Sequence, residues 1–247
     1  MKDGAQYRVQ YTSLVKLIII FLILYCYLSF FFKKPDMDIT AINHDDTFTL
    51  AEKFAPRLHL NGKEFFGLKD LFVVFHPDKP VIAYHLFWED DIDFPNDGQP
   101  NDHEIIWVQY SHDKSKVISL WTYWHGKILE KRFSNKEVVK NPDVYIQWGK
   151  HGSLPQKWDQ GFSIRPGMEI YIHYFLCRYI HKHNRSVLST NWPERFDGNF
   201  RDYLTFSNIL ELNKLISKEK ILVCIDSNNK IRILFKENFS YKIEWPT

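Results

Sequence analysis

The chain has 247 residues, with 32 Lys and Arg against 30 Asp and Glu and a formal charge of +2. No basic run stands out, so the electrostatic footprint of a nucleic-acid binder is not read here and nucleic acid is not an expected partner. Aromatic residues make up 17% of the chain and Gly numbers 10, a balance that favours β-rich packing over a helical bundle.

The first segment with a pattern of its own is SLVKLIIIFLILYCYLSFFFKK. Residues 14–32 are apolar apart from Lys16 and Ser29, and a helix rising about 1.5 Å per residue over this length spans close to the ~30 Å hydrocarbon layer. Lys16 can snorkel, and Lys33 and Lys34 supply the other polar edge. No small-residue cleavage pattern follows, which favours an uncleaved signal-anchor over a removed secretory signal. The sequence therefore predicts a tail at 1–13, one N-terminal transmembrane helix at 14–32 and a polar linker at 33–47. The membrane is then a partner through that helix. Slight charge asymmetry places the C-terminal domain, 48–247, on the extracytoplasmic side of a single-pass protein.

In that domain TLAEKFAP predicts a short helix stopped by Pro56, and RLHL starts the first strand. Strand candidates follow at LFVVF, VIAYHLFW, EIIWVQY, KVISLWTYW and DVYIQW, with turn chemistry at HPDKP, PNDGQPND, SHDKS and KNPD. Short alternating or apolar runs between turns predict a mainly β fold, an antiparallel β-sandwich with a few short helices. MEIYIHYFLCRYIHKH fits either a helix or a long strand. TFSNILELNKLIS reads as a helix with Ser207 as its cap, and KILVCID and KIRILF around SNN read as a hairpin. Cys26 falls in the apolar segment, which leaves Cys177 and Cys224 as two buried thiols or one disulfide.

Chemistry concentrates near the strand ends. Asp102, His103 and Glu104 stand side by side after two Pro-Asn-Asp turns, His125 and Gly126 end one strand candidate, and His151 and Gly152 follow another. Carboxylates with neutral imidazoles suit a divalent ion. In one regular strand Asp102 and Glu104 project to one side and His103 to the other, so all three ligate together only if they sit on the turn. The bland reading has Asp102 capping the turn and Glu104 solvated. EDDIDFPND lacks the Gly and closing Glu of a calcium-binding helical-hairpin loop and reads as a solvated acidic loop. His85 reads as a core histidine, and His181 and His183 have ligand-like i, i+2 spacing on a strand or simply cap a polar end. No GxSxG, HExxH, paired CxxC or phosphate-cradling Gly loop occurs.

Three elements together resemble the superfamily of necrosis-inducing proteins and vacuolar protein sorting (Vps) factors. The family pattern runs H-E-G-D-W-E, then a Q-H-S/G element, then V-Y-x-A-x-G-S-H-A-S-Y-P. Here the third element is Val144, Tyr145, Gly149, His151, Ser153 and Pro155, the second is His125 with Gly126, and the first is His103, Glu104 and Trp107. Ile106 and Val108 replace the family's carboxylates flanking the Trp, so Asp102 or Glu104 has to take their place. The resemblance spans about residues 50–160. It implies a β-sandwich and a divalent-metal site, with Asp102, His103, Glu104, His125 and His151 as ligands and Trp107, Gly126, Gly149 and Ser153 around them.

The expected function is a membrane-anchored β-sandwich domain whose metal site binds a ligand such as a glycan or lipid head group. Two alternatives stand beside it. One is a metal-dependent hydrolase with Glu104 or Asp102 as general base. The other is a structural or interaction module whose histidines satisfy buried hydrogen bonds.

Overall fold

The computed structural model describes residues 45–89, 91, 102–162, 164, 172, 175, 179, 204–218, 222–225 and 245–246. The chain divides into two units, Met1–Asp38 and Ile39–Thr247, and the described residues all belong to the second. In chain order they form helix α1 (Asp45–Lys53), strands β1 (Arg57–Leu60), β2 (Leu68–Phe75), β3 (Val81–Trp88), β4 (Asp102–Tyr110), β5 (Val117–Trp124), β6 (Lys127–Arg132), β7 (Asp143–Ile146), β8 (Ser153–Pro155) and β9 (Asn208–Glu211), helix α2 (Leu212–Lys218) and strand β10 (Leu222–Ile225).

The strands make two sheets, one of four in the order β8-β7-β1-β9 and one of six in the order β10-β2-β3-β4-β5-β6. From β2 to β6 the large sheet is an antiparallel meander, with short connections between β2 and β3, β4 and β5, and β5 and β6 and a longer one between β3 and β4. The sandwich is not antiparallel throughout, which corrects the expectation from sequence. β1 pairs with β7 in parallel, Leu58 opposite Val144, and β10 pairs with β2 in parallel, Val223 opposite Val73. Each of these pairs joins strands from distant parts of the chain, where the connection is long enough to return in the same direction and no hairpin sets the direction.

The core lies on the facing surfaces. Leu71, Val73 and Phe75 of β2, Ile82, Tyr84 and Leu86 of β3, and Ile106 and Val108 of β4 meet Leu58 of β1 and Val144 and Ile146 of β7. Ala51 of α1 and Phe54 and Ala55 just after it are buried in the same core. The Tyr84 hydroxyl donates to the Ala51 carbonyl at 2.8 Å, pinning the end of α1 before Pro56 stops it. The other face of the large sheet is buried as well: Phe72, Val74, Ala83, Phe87, Ile105 and Trp107 are all below a tenth exposed. Burial on both faces explains why β2 and β3 read as continuous apolar runs rather than alternations. A second, aromatic cluster gathers Phe66, Trp124, Trp148 and Leu154.

Several expectations change. TFSNILELNKLIS is not one helix: Asn208–Glu211 pairs with β1 as β9, and the helix begins only at Leu212. Pairing to a waiting edge has overridden a helical periodicity of modest strength. KILEKR is a strand, β6, joined to β5 by the turn at His125 and Gly126. Of the predicted terminal hairpin only Leu222–Ile225 is among the described residues, and most of MEIYIHYFLCRYIHKH lies outside them.

The expected transmembrane helix at 14–32 also lies outside the described residues. Among the described residues no helix is long and apolar enough to cross a membrane. α1 has 9 residues and α2 has 7, about 14 and 11 Å at the helical rise, against a hydrocarbon layer of ~30 Å. The described residues therefore give no support to a transmembrane signal-anchor, a membrane partner held through it or a single-pass extracytoplasmic placement.

Candidate functional site

β4 begins at Asp102 and is regular from there, so the side-chain alternation of a strand applies to the whole Asp-His-Glu triplet. Asp102 is the register partner of Trp88, and Glu104 that of Leu86, which places both acids on the inner face. His103 sits opposite Phe87 on the other face, stacked on its ring at 4.3 Å. There His103 Nε2 meets His85 Nδ1 at 3.1 Å, with both residues buried. Burial, and then the neighbouring His103, push the His85 imidazole well below its ordinary value, so it stays neutral. Trp107 shares that outer face, between Ala83 and Trp121.

His151 lies on the loop after β7. Its backbone N–H donates to the Gln147 carbonyl and the Gln147 N–H to the Gly152 carbonyl, both at 3.0 Å, so residues 147–152 form a closed loop. Two residues here take positive φ, His151 at 50° and Gly149 at 75°. Glycine adopts this region freely, whereas in a histidine it stores strain that the surroundings must hold. Gly152 has a packing reason of its own: a Cβ there meets Trp124 Cε3 at 2.9 Å and His125 Nε2 at 3.1 Å.

The loop delivers the His151 ring, fully buried, into the inner face of the large sheet. Nδ1 donates to Asp102 Oδ2 at 2.7 Å. Nε2 lies 3.7 Å from Glu64 Oε1, an ion-pair distance rather than a hydrogen bond. The ring stacks flat on the Trp88 indole, 4.2 Å between centroids and 5° from parallel, a geometry that favours a cationic imidazolium. Glu64 is itself held rigidly: Oε1 accepts the N–H groups of Phe65 and Phe66 at 3.0 and 3.1 Å, and Oε2 accepts that of Gly149 at 3.0 Å. Burial opposes the charge on His151, but Glu64 and the hydrogen bond to Asp102 outweigh it and raise the imidazole from 6.5 to about 10. Beside this cluster the Lys150 ammonium pairs with Asp91 at 3.0 Å.

The remaining sequence-predicted positions fall around this cluster or away from it. Gly149 donates to Glu64, and the Ser153 hydroxyl, fully buried, donates to the His151 carbonyl at 3.4 Å. His125 sits beside the same loop, but its Nε2 contacts Gln147 Oε1 at 2.6 Å. With φ of 42° and 80°, His125 and Gly126 form the two-residue turn between β5 and β6, and such hairpins call for positive φ at both central positions. Nothing approaches within 4 Å of a Cβ on Gly126, so its role in the fold is conformational. Glu64, Trp88 and the Lys150–Asp91 pair were not singled out by sequence. Glu64 carries no motif and stands in an ordinary turn after β1, and Trp88 reads as core.

The expected divalent cation does not fit. Among the described residues no group of three or more His, Cys, Asp or Glu side chains is arranged to hold a metal ion. The reason lies in the donors. His103 projects to the far side of the sheet, and three backbone N–H groups occupy the Glu64 carboxylate. The metal cofactor, the metal-binding label and the glycan or lipid-head-group binding built on them are withdrawn.

No protein-family model matches the chain, and no curated protein matches it. Among solved structures the chain is similar to the crystal structure of necrosis and ethylene inducing protein 2 from the causal agent of cocoa's witches' broom disease. Identity is 14%, the match covers 64% of this chain and 86% of that one, and the TM-score is 0.35. This is a distant, partial likeness, consistent at most with a β-sandwich-like fold, and it does not establish membership of that family.

Proposed function

We propose that this β-sheet domain is a structural or interaction module, and that the Asp102–His151–Glu64 cluster is its internal staple rather than a reaction centre. The observation that carries this reading is the setting of His151: fully buried, with a carboxylate facing each ring nitrogen, an arrangement that raises the imidazole and favours its protonated form. A general base must accept a proton near the working pH, and His151 keeps its own until about pH 10. Asp102, one of the two general bases of the hydrolase reading, is committed to His151. As a staple, the cluster ties the 147–152 loop to β4 and to the turn after β1, joining the two sheets at one end.

Reactivity separates a staple from a reactive centre. Native full-length protein treated with diethyl pyrocarbonate and mapped by mass spectrometry is expected to leave His151 unmodified while exposed His112 is carbethoxylated. Modification of His151 at a rate comparable to His112 in the folded protein overturns the reading, because it requires an accessible, deprotonated nitrogen.

A further inference from the structure

A second feature lies on the outer face of the four-stranded sheet, away from the staple. Leu58 and Val144 point into the core, so their neighbours Arg57, His59, Asp143 and Tyr145 project outward. Register sets Asp143, Arg57 and Glu211 in one row across β7, β1 and β9, with Tyr145, His59 and Ile209 in the next. At the end of the first row a cavity of about 430 Å³ opens, lined by Arg57, Lys140, Asp143, Gln156, Glu211 and Asn213 among others. That volume lies within the range of small-molecule sites. Its rear is fixed: the Asn141 amide donates to the Ala55 carbonyl at 2.8 Å and anchors the segment that carries Lys140.

Within the cavity the acids are already engaged while much of the donor capacity is not. Asp143 accepts from His59 Nε2 at 2.8 Å and from Arg57 Nη2 at 3.0 Å, and Glu211 pairs with Lys214. Arg57 commits only Nη2, which leaves Nη1 and Nε. Lys140 is exposed and makes no ion pair among the described residues. The Asn213 carbonyl oxygen accepts the Lys214 N–H, so the group it has left is its NH₂. Uncommitted N–H donors on a planar guanidinium, an ammonium and an amide, beside neutralised carboxylates, form the donor set that recognises an oxyanion.

We infer that this cavity is a binding site for a small oxyanion-bearing molecule, held by Arg57 and Lys140 with Asn213 and Gln156 as flanking donors. Free phosphate and the carboxylate of an organic acid share this chemistry. The site owes nothing to the Asp102–His151–Glu64 cluster, so either can fail without the other.

The test is calorimetric titration of the full chain with inorganic phosphate, with succinate, and with choline as a cationic control. Saturable one-to-one binding of phosphate or succinate is expected, and which of them binds decides the source of the oxyanion. Lys140→Glu, an exposed position whose replacement leaves the core intact, is expected to weaken that binding by about tenfold or more, on the order of one charge-assisted contact. Lys127→Glu, on β6 of the other sheet, is expected to leave it unchanged. Absence of saturable binding by both anions, tighter binding of choline, or equal weakening by the two lysine substitutions overturns the assignment.

Discussion

Replacing His151 with Gln removes the imidazole between two partly buried carboxylates and keeps a side chain of similar reach. The structure sets the size of the effect. Raising the imidazole from 6.5 to about 10 means that folding binds this proton more tightly, and at about 1.4 kcal/mol per tenfold the linkage bounds the contribution at about 5 kcal/mol. Cutting one member from a buried ion pair costs about 3–5 kcal/mol by an independent route, since the partners are left charged and uncompensated. For a domain of this size that is a drop of about 10 °C or more in melting temperature. The sign follows from the direction of the shift. The folded value lies above the unfolded one, so the stabilisation is complete below about pH 6.5 and drains away as the pH rises through about 10. Urea unfolding of the wild type and His151→Gln across this window is the assay. The gap between the two proteins should be widest at about pH 6.5 and below, and should close as the pH rises toward 10. Two curves that stay parallel across the whole window, or a variant as stable as the wild type at pH 7, refute a buried, charged His151.

Two further outcomes follow from local geometry. Gly152→Ala puts a methyl group 2.9 Å from the buried Trp124 ring and should destabilise by about 1–3 kcal/mol, whereas Gly126→Ala, at φ 80° with open space around it, should cost only about 1 kcal/mol. Thermal melts of the pair check the order, and a larger loss at Gly126 contradicts it. The Asp113 carboxyl, which accepts hydrogen bonds from the Ser111 and Ser115 hydroxyls and the Ser115 N–H, is held down to about 2. Its titration by carbon-detected magnetic resonance should show that midpoint and move upward in Ser111→Ala, and an ordinary carboxylate midpoint in the wild type counts against the turn as described.

Much of the fold was written in short-range pattern. The strands β1 to β5 and β7 stand out because apolar and β-branched runs alternate with Pro, Asn, Asp and Gly turns, and those signals act over a few residues. Lys127–Arg132 escaped because an exposed edge strand with charged residues lacks the apolar alternation that betrays a buried one. Its turn was nonetheless visible as His125-Gly126, the positive-φ pair of a hairpin. The Asp-His-Glu triplet carried its own correction: strand parity already divides Asp102 and Glu104 from His103, and the question was only whether β4 begins before or after them.

Direction and company, by contrast, came only from the tertiary structure. Parallel pairing of β1 with β7 and of β2 with β10 depends on which edge is vacant when distant strands meet, and no local residue encodes that. The same holds for the charge on His151. Asp102 is 49 positions away in the chain, and Glu64 reaches the loop from 85 positions away through Gly149. A histidine's protonation and its use as ligand, base or staple are set by the dielectric and the charges packed around it, which are properties of contacts rather than of sequence neighbours. The chain alone settled that strand-end histidines and acids exist; folding settled that one of them is buried between two carboxylates, which favours its charged form.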